Sequence, residues 1–354
     1  MAFTSLSYQI AGTVDVVDVH VGGDLHRIVL GGVKEPPGRS VFEKMHFIKE
    51  KADGLRKLLL HEPRGGHPSL FADLVVAPSA PNADAGFIIM ELMGYPLISG
   101  TNTMSTAIAL LETGRLKMSE GINNLVLEAP GGLIEVDALC RDGKVKRVSY
   151  RAKTPSYVAG EGLSVDIPGF GEVKFDLIWT GAFYPIFNAA EFGFSLVRDE
   201  EEEIVALARK LVPAMRSAIH PLHPVYGDEG PISFVLFAGE AEEVGDCWER
   251  RVCCYEFPRN SVCRAPAGVP STAVMVQLVH RGQLKVGDTL RTKSVFDSEL
   301  KASILDLSEY HGHVGVRAEV SGSGWITAKS QLVVDLNDPL TPLDGLADIL
   351  VGSE

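Results

Sequence analysis

The chain has 354 residues, 45% hydrophobic and 22% charged, with a formal net charge of −13. That length suits two domains of ordinary size, and no apolar run reaches the ~20 residues that a membrane helix needs. An acidic balance without a basic stripe excludes a phosphate-backbone partner such as nucleic acid, so the expected ligand is a small molecule. The opening MAFTSLSYQIAG has no basic region followed by a long hydrophobic stretch, and the expected location is cytoplasmic. Five cysteines, Cys140, Cys247, Cys253, Cys254 and Cys263, are an odd number without zinc-ribbon spacing, so reduced thiols are expected.

In chain order, residues 13–23 (TVDVVDVHVGG) alternate as a strand ending at a glycine turn, and 26–32 reads as a second strand. Residues 39–63 have apolar positions at helical spacing. Strands follow at 71–78, 85–94, 125–132, 134–140 and 144–153, cut by glycine, proline and charged turns. Residues 159–177 read as a glycine-rich connection, which places the junction of two halves at 172/173. Residues 173–187 then read as the counterpart of the first strand. Residues 198–215 form a helix whose acidic opening, 199–203, suits a helix N-terminus rather than a cation site. Strands at 231–240, 250–257, 288–296, 303–310 and 325–336 complete the second half, with Cys253 and Cys254 in one of them. The tail 335–354 is expected to return to the first half, because chain ends often lie close together.

Two segments are copies at a constant offset of 168: SGTNTMSTAIALLETGRLK (99–117) and AGVPSTAVMVQLVHRGQLK (267–285). Gly100 matches Gly268, Leu110 matches Leu278, and Gly114 matches Gly282. So wide a repeat means two homologous halves, each a small-residue turn, an apolar helix and a helix-ending glycine. If the halves face each other across a pseudo-twofold axis, two helix N-termini converge on one cleft, which suits an anion. Ser99 stands before one helix and Ala267 before the other.

The chain resembles the proline racemase family, whose members include hydroxyproline epimerases and trans-3-hydroxy-L-proline dehydratases. The markers are DVHVGGDLHRIVLGG (18–32), HEPRGG (61–66), PNADAGFIIMELMGYPLISG (81–100), the ALLETG helix end and FPRNSVCRAPAG (257–268). The resemblance implies an α/β fold of two pseudo-symmetric domains, each a β-barrel-like sheet around a central helix, of the diaminopimelate-epimerase-like type. It also implies that the racemases and epimerases carry a cysteine at each symmetric turn, one deprotonating Cα and the other reprotonating it. A methyl at Ala267 cannot move a proton, whereas the family's dehydratases need a single base. The reading is therefore a lyase that dehydrates trans-3-hydroxy-L-proline or a related cyclic imino acid, without metal or organic cofactor, and with a homodimer as an allowed assembly.

On the same resemblance, Ser99 is the base. Gly100, Thr101, Gly268 and Val269 present N–H groups to a carboxylate, and Phe71 and Phe257 wall the ring. Asn102 and Ala267 complete the substrate site. Thr101 stands where the family has His, and Cys263 where it has Asp, which normally faces the ring nitrogen. An alkoxide is costly near neutral pH, so Ser99 needs a helper, and the candidates are Asn102, Asp84, Asp24 and His20. The plainer reading of Ser99 is a helix N-cap. Cys263 reads either as an inert thiol or as a displaced second base, which would make the protein an epimerase and so an isomerase. A silent imino-acid-binding protein and an enzyme acting on a different or N-modified ring are the remaining alternatives. His311 and His313 lack further ligands and read as structural, and EPRGG lacks the P-loop pattern.

Overall fold

The computed structural model describes residues 10–61, 63–67 and 69–351. The opening leader reading and Glu62 of the HEPRGG motif lie outside the described residues.

The first half contains β1 (Ile10–Val21), β2 (Asp24–Gly31), α1 (Val41–Lys51), α2 (Gly54–Leu60), β3 (Leu70–Val76), β4 (Ala85–Met90), α3 (Gly100–Glu112), β5 (Gly121–Ala129), β6 (Gly132–Arg141) and β7 (Lys144–Ala152). The second contains β8 (Tyr157–Ile167), β9 (Gly171–Trp179), β10 (Phe183–Asn188), α4 (Glu201–Ala218), β11 (Phe234–Val244), β12 (Cys247–Glu256), α5 (Gly268–His280), β13 (Thr289–Lys293), β14 (Glu299–Tyr310) and β15 (His313–Gly322). Then β16 (Gly324–Asp335) returns to pair with β1, and α6 (Leu346–Ile349) closes the described chain.

All sixteen strands form one sheet in the order β16-β1-β2-β3-β4-β5-β6-β7-β15-β14-β13-β12-β11-β10-β9-β8. From β16 inward, successive pairs are antiparallel, antiparallel, parallel, antiparallel, parallel, antiparallel and antiparallel. From β8 inward the same succession repeats. The two runs meet where Val148–Arg151 of β7 pair antiparallel with Glu319–Gly322 of β15. Each run wraps its own apolar helix, since α3 packs against β1, β2, β3, β5, β6, β7 and β16, and α5 against β8, β9, β10, β12, β14 and β15. One continuous core holds both helices, while α1 and α2 bury a second core and α4 a third.

β8 and β9 pair as a hairpin across 172/173, and residues 153–156 and Ser323 join the two runs of strands. β8 reads as a loop because it is the outer strand of the sheet, where polar residues and glycine discourage pairing with another chain. Residues 39–63 break into α1 and α2 around Ala52 and Asp53. A side chain at Gly54 would meet the Asp344 and Pro342 carbonyls of the returning tail at 2.9 and 3.0 Å. Leu346, Ile349 and Leu350 of that tail pack into the core beneath α1 and α2. Among the described residues no helix is long and apolar enough to cross a membrane.

Candidate active site

α3 and α5 touch at their first residues. A Cβ on Gly268 would lie 2.9 Å from the Gly100 Cα, and one on Gly100 would lie 2.3 Å from the Tyr150 hydroxyl. Only glycine permits that approach, so the sequence repeat GT/GV encodes the meeting of two helix N-termini. The first turns begin with Thr103 N–H bonding to the Ser99 carbonyl at 3.1 Å and Ser271 N–H to the Ala267 carbonyl at 3.0 Å. The N–H groups of Gly100, Thr101, Gly268 and Val269 therefore precede the first intrahelical bonds and have no carbonyl within their own helix. N–H groups left unpaired within their helices at paired positive helix ends have the chemistry to receive an anion.

A cavity lies at this meeting point, lined among others by Phe71, Ser99, Thr101, Cys263, Ala267, Gly268 and Val269. The Ser99 hydroxyl does not cap α3. Its oxygen instead accepts from the Asn102 side-chain amide at 2.8 Å, which leaves the hydroxyl hydrogen free for another partner. The same amide nitrogen donates to Glu91 Oε1 at 3.0 Å, and the Asn102 oxygen meets His26 Nδ1 at 2.7 Å. Because an amide oxygen only accepts, His26 carries its hydrogen on Nδ1. Burial pushes the His26 pKa down to about 3, so the ring is neutral, and it stacks on Phe71 with centroids 5.1 Å apart.

The opposite wall is different. Ala267 has φ 59° and ψ 143°, backbone that alanine adopts only under strain. Cys263 is buried, its thiol pushed well above its ordinary range by contact with Cys254 and by burial. A thiol so held is neutral and a poor proton acceptor. Arg259 is 1% exposed, with Nη1 3.3 Å from Glu256 Oε2 and 3.5 Å from Cys263 Sγ. Burial disfavours its charge, but the Glu256 and Asp24 carboxylates hold it protonated, and it lies 4.6 Å over the Phe71 ring.

Three carboxyl groups also line the cavity: Asp24, Glu91 and Glu256. Burial raises the Asp24 pKa to about 6; one of its oxygens accepts from the Arg264 N–H at 2.7 Å and the other has no hydrogen-bond partner among the described residues. Glu91 is pushed well up by burial and by the neighbouring Glu256 charge. Glu256 is also raised by burial, opposed by Arg259, and the nearness of the two glutamates raises Glu91 and lowers Glu256, which favours the proton on Glu91.

Not all the expected residues come here. Phe257 packs on the α4 core with the Arg216 guanidinium 4.9 Å over its ring, and the cavity's other aromatics are Tyr184 and Phe234. β12 carries Phe257 past the cavity because its neighbour Glu256 is the residue turned inward. Gly100 and Asn102 stand behind the cavity wall rather than in it, with the Asn102 amide on the Ser99 oxygen. Of the other helpers, Asp84 accepts from the Val126 N–H at 2.8 Å in an exposed turn. His20 stacks on Trp325 in a separate groove of about 630 Å³. His311 and His313 flank the β14–β15 turn, where His313 stacks on Tyr157 at 4.3 Å, and no group of metal-ligating residues is found among the described residues. Glu91, Glu256 and Arg259 were not anticipated. Their signal was one acid at the end of each of two apolar strands, FIIME and VCCYE, where a lone carboxyl requires a buried partner.

Two matched α/β halves with a cavity between paired helix starts define the class to which several epimerase-like folds belong. The profile of the family described as Proline racemase matches residues 16–344, and the chain belongs to that family. It is 31% identical over 328 residues to a proline racemase from Clostridioides difficile, covering 93% of this chain and 96% of that one. A protein of Marinobacter nauticus is 38% identical over 339 residues, 96% of each chain. Among solved structures, a hydroxyproline epimerase from Agrobacterium vitis with bound trans-4-hydroxy-L-proline superposes with TM-score 0.87 at 28% identity, over 96% of this chain and 95% of that one.

Proposed function

We propose that this protein is a cofactor-independent dehydratase of trans-3-hydroxy-L-proline or a closely related cyclic imino acid. The observation that carries the reading is the one-sided equipment of the cavity: Ser99, its oxygen held by Asn102, on one wall, and the Ala267 methyl on the other. Only one face of a bound Cα then meets a group able to move its proton, which suits elimination and not two-base inversion. The imino-acid class is supported by the trans-4-hydroxy-L-proline in the Agrobacterium vitis epimerase.

In this reading Ser99 takes the α-proton while the Asn102 amide stabilises charge on Oγ. The N–H groups of Thr101, Gly268 and Val269 hold the carboxylate, and Phe71 walls the ring beside Tyr184 and Phe234. Asp24, with one buried oxygen unpartnered, receives the ring nitrogen in place of the acid that the family carries at position 263. Cys263, a buried neutral thiol, contributes shape and not a second base. Loss of water gives an enamine that tautomerises to a cyclic imine.

The test is proton NMR in D2O with trans-3-hydroxy-, cis-3-hydroxy- and trans-4-hydroxy-L-proline and L-proline. Conversion of the trans-3-hydroxy compound to an imine is the expected result. Deuteration of Cα with inversion would make the protein an epimerase instead, and saturable binding without exchange would make it a binding protein.

A further inference from the structure

Of the three carboxyl groups at the cavity, Glu91 comes from the first half directly after β4 and Glu256 from the second at the end of β12. They are 3% and 1% exposed. Arg259 Nη1 lies 3.3 Å from Glu256 Oε2 and the Met93 N–H points to Glu256 Oε1 at 3.4 Å, so Glu256 is the ionised member. Glu91 Oε1 and Ser99 Oγ share the NH2 group of Asn102, at 3.0 and 2.8 Å. Glu91 is thereby fixed beside Ser99. Two buried carboxyls in contact hold one proton between them, because both cannot ionise.

Resting on the dehydratase reading, we infer that the Glu91–Glu256 pair is the general acid of this site, and that its place beside Ser99 selects a leaving hydroxyl on the same ring face as the α-hydrogen. In trans-3-hydroxy-L-proline the carboxylate and hydroxyl lie on opposite ring faces, so the α-hydrogen and the hydroxyl share one face. That face meets Ser99 and Glu91, and the other meets Ala267. The Cα–H bond breaks and its proton goes to Ser99 Oγ, as the Ser99 hydroxyl proton passes to Glu256. The freed electron pair forms the Cα=C3 bond. The C3–O bond breaks, and its oxygen takes the Glu91 proton and leaves as water. The pair ends with the one proton it began with, so no outside acid or base is consumed.

Glu91→Gln tests this with little rearrangement, since the amide can still accept from Asn102 and donate to Glu256. Two rates are compared: water loss from trans-3-hydroxy-L-proline and fluoride loss from trans-3-fluoro-L-proline, whose leaving group departs as an anion. Water loss should fall by about 100-fold and fluoride loss by no more than about threefold. Equal losses, or unchanged dehydration, overturn the assignment. Glu91→Asp retains an acid and should dehydrate at least about tenfold faster than the Gln variant; equal rates overturn it as well. Wild-type protein that takes the cis-3-hydroxy isomer equally well overturns the selection of face. A wild type inert with every 3-substituted proline overturns the dehydratase reading itself, whereas an active wild type with an unaffected Gln variant overturns only the role of the pair.

Discussion

The starts of α3 and α5 share a glycine at the point of contact and a hydroxyl that bonds back to the preceding carbonyl, Thr103 to Ser99 and Ser271 to Ala267, at 2.6 and 2.7 Å. Beyond that scaffold they diverge. Where α3 has Asn102, which ties Ser99 to Glu91 and His26, α5 has Pro270, which has no amide side chain and no N–H. On the proposed function, duplicated halves keep the anion-binding backbone on both sides while retaining proton-transfer equipment on one. Backbone N–H groups survive almost any side-chain change, whereas a base and its supports are lost with single substitutions.

The largest effect on that asymmetry is expected from Ser99→Ala, which should lower α-proton exchange by about 1000-fold while leaving the unfolding midpoint unchanged. Exchange in D2O that persists in the variant would show that the first wall's base lies elsewhere. Gly268→Ala strikes the shared scaffold instead. Its methyl would sit 2.9 Å from the Gly100 Cα, so the helix starts must separate, at a cost of about 2 kcal/mol read by urea unfolding.

Asp24→Asn probes burial in the first half. The folded pKa of about 6 lies above the ordinary carboxylate value, so the native state binds the proton more tightly than the unfolded chain does. Wild-type stability from this group is greatest below about pH 4 and declines as pH rises to about 6. The Asn variant should accordingly be more stable than wild type by about 3 kcal/mol at pH 8 and show little gain at pH 4. Loss of imino-acid affinity in the same variant would sharpen the proposed role for its free oxygen. The smallest effect concerns the second wall. Ala267→Gly relieves a φ of 59° and should stabilise the fold by about 1 kcal/mol in thermal unfolding, with turnover within about twofold of wild type.

The repeat over 99–117 and 267–285 made the paired helices and their glycine contact legible, because a close approach leaves its mark as glycine at matched positions. The alternating strands were legible for the same local reason. What escaped was long-range. β8 looks like a linker because an edge strand has few apolar positions, and β15 was passed over as HVGVRAEVSG, whose partner β7 lies far away in sequence. At the site, Ser99 and Cys263 could be placed by their motifs, yet Glu91, Glu256 and Arg259 come from a strand end and a loop 165 or more residues apart. Phe257, expected at the ring from the resemblance, follows the inward-facing Glu256 directly, and neighbouring residues on an extended chain point to opposite faces.

β16 gives the first half its outer strand, pairing with β1 only after every strand of the second half has been made. On a ribosome, the first half must therefore wait with β1 unpaired on that side until residues 324–335 emerge. The N-terminal half cannot finish folding first, as domains in tandem usually do, because a strand made after the second half locks one made before it in place.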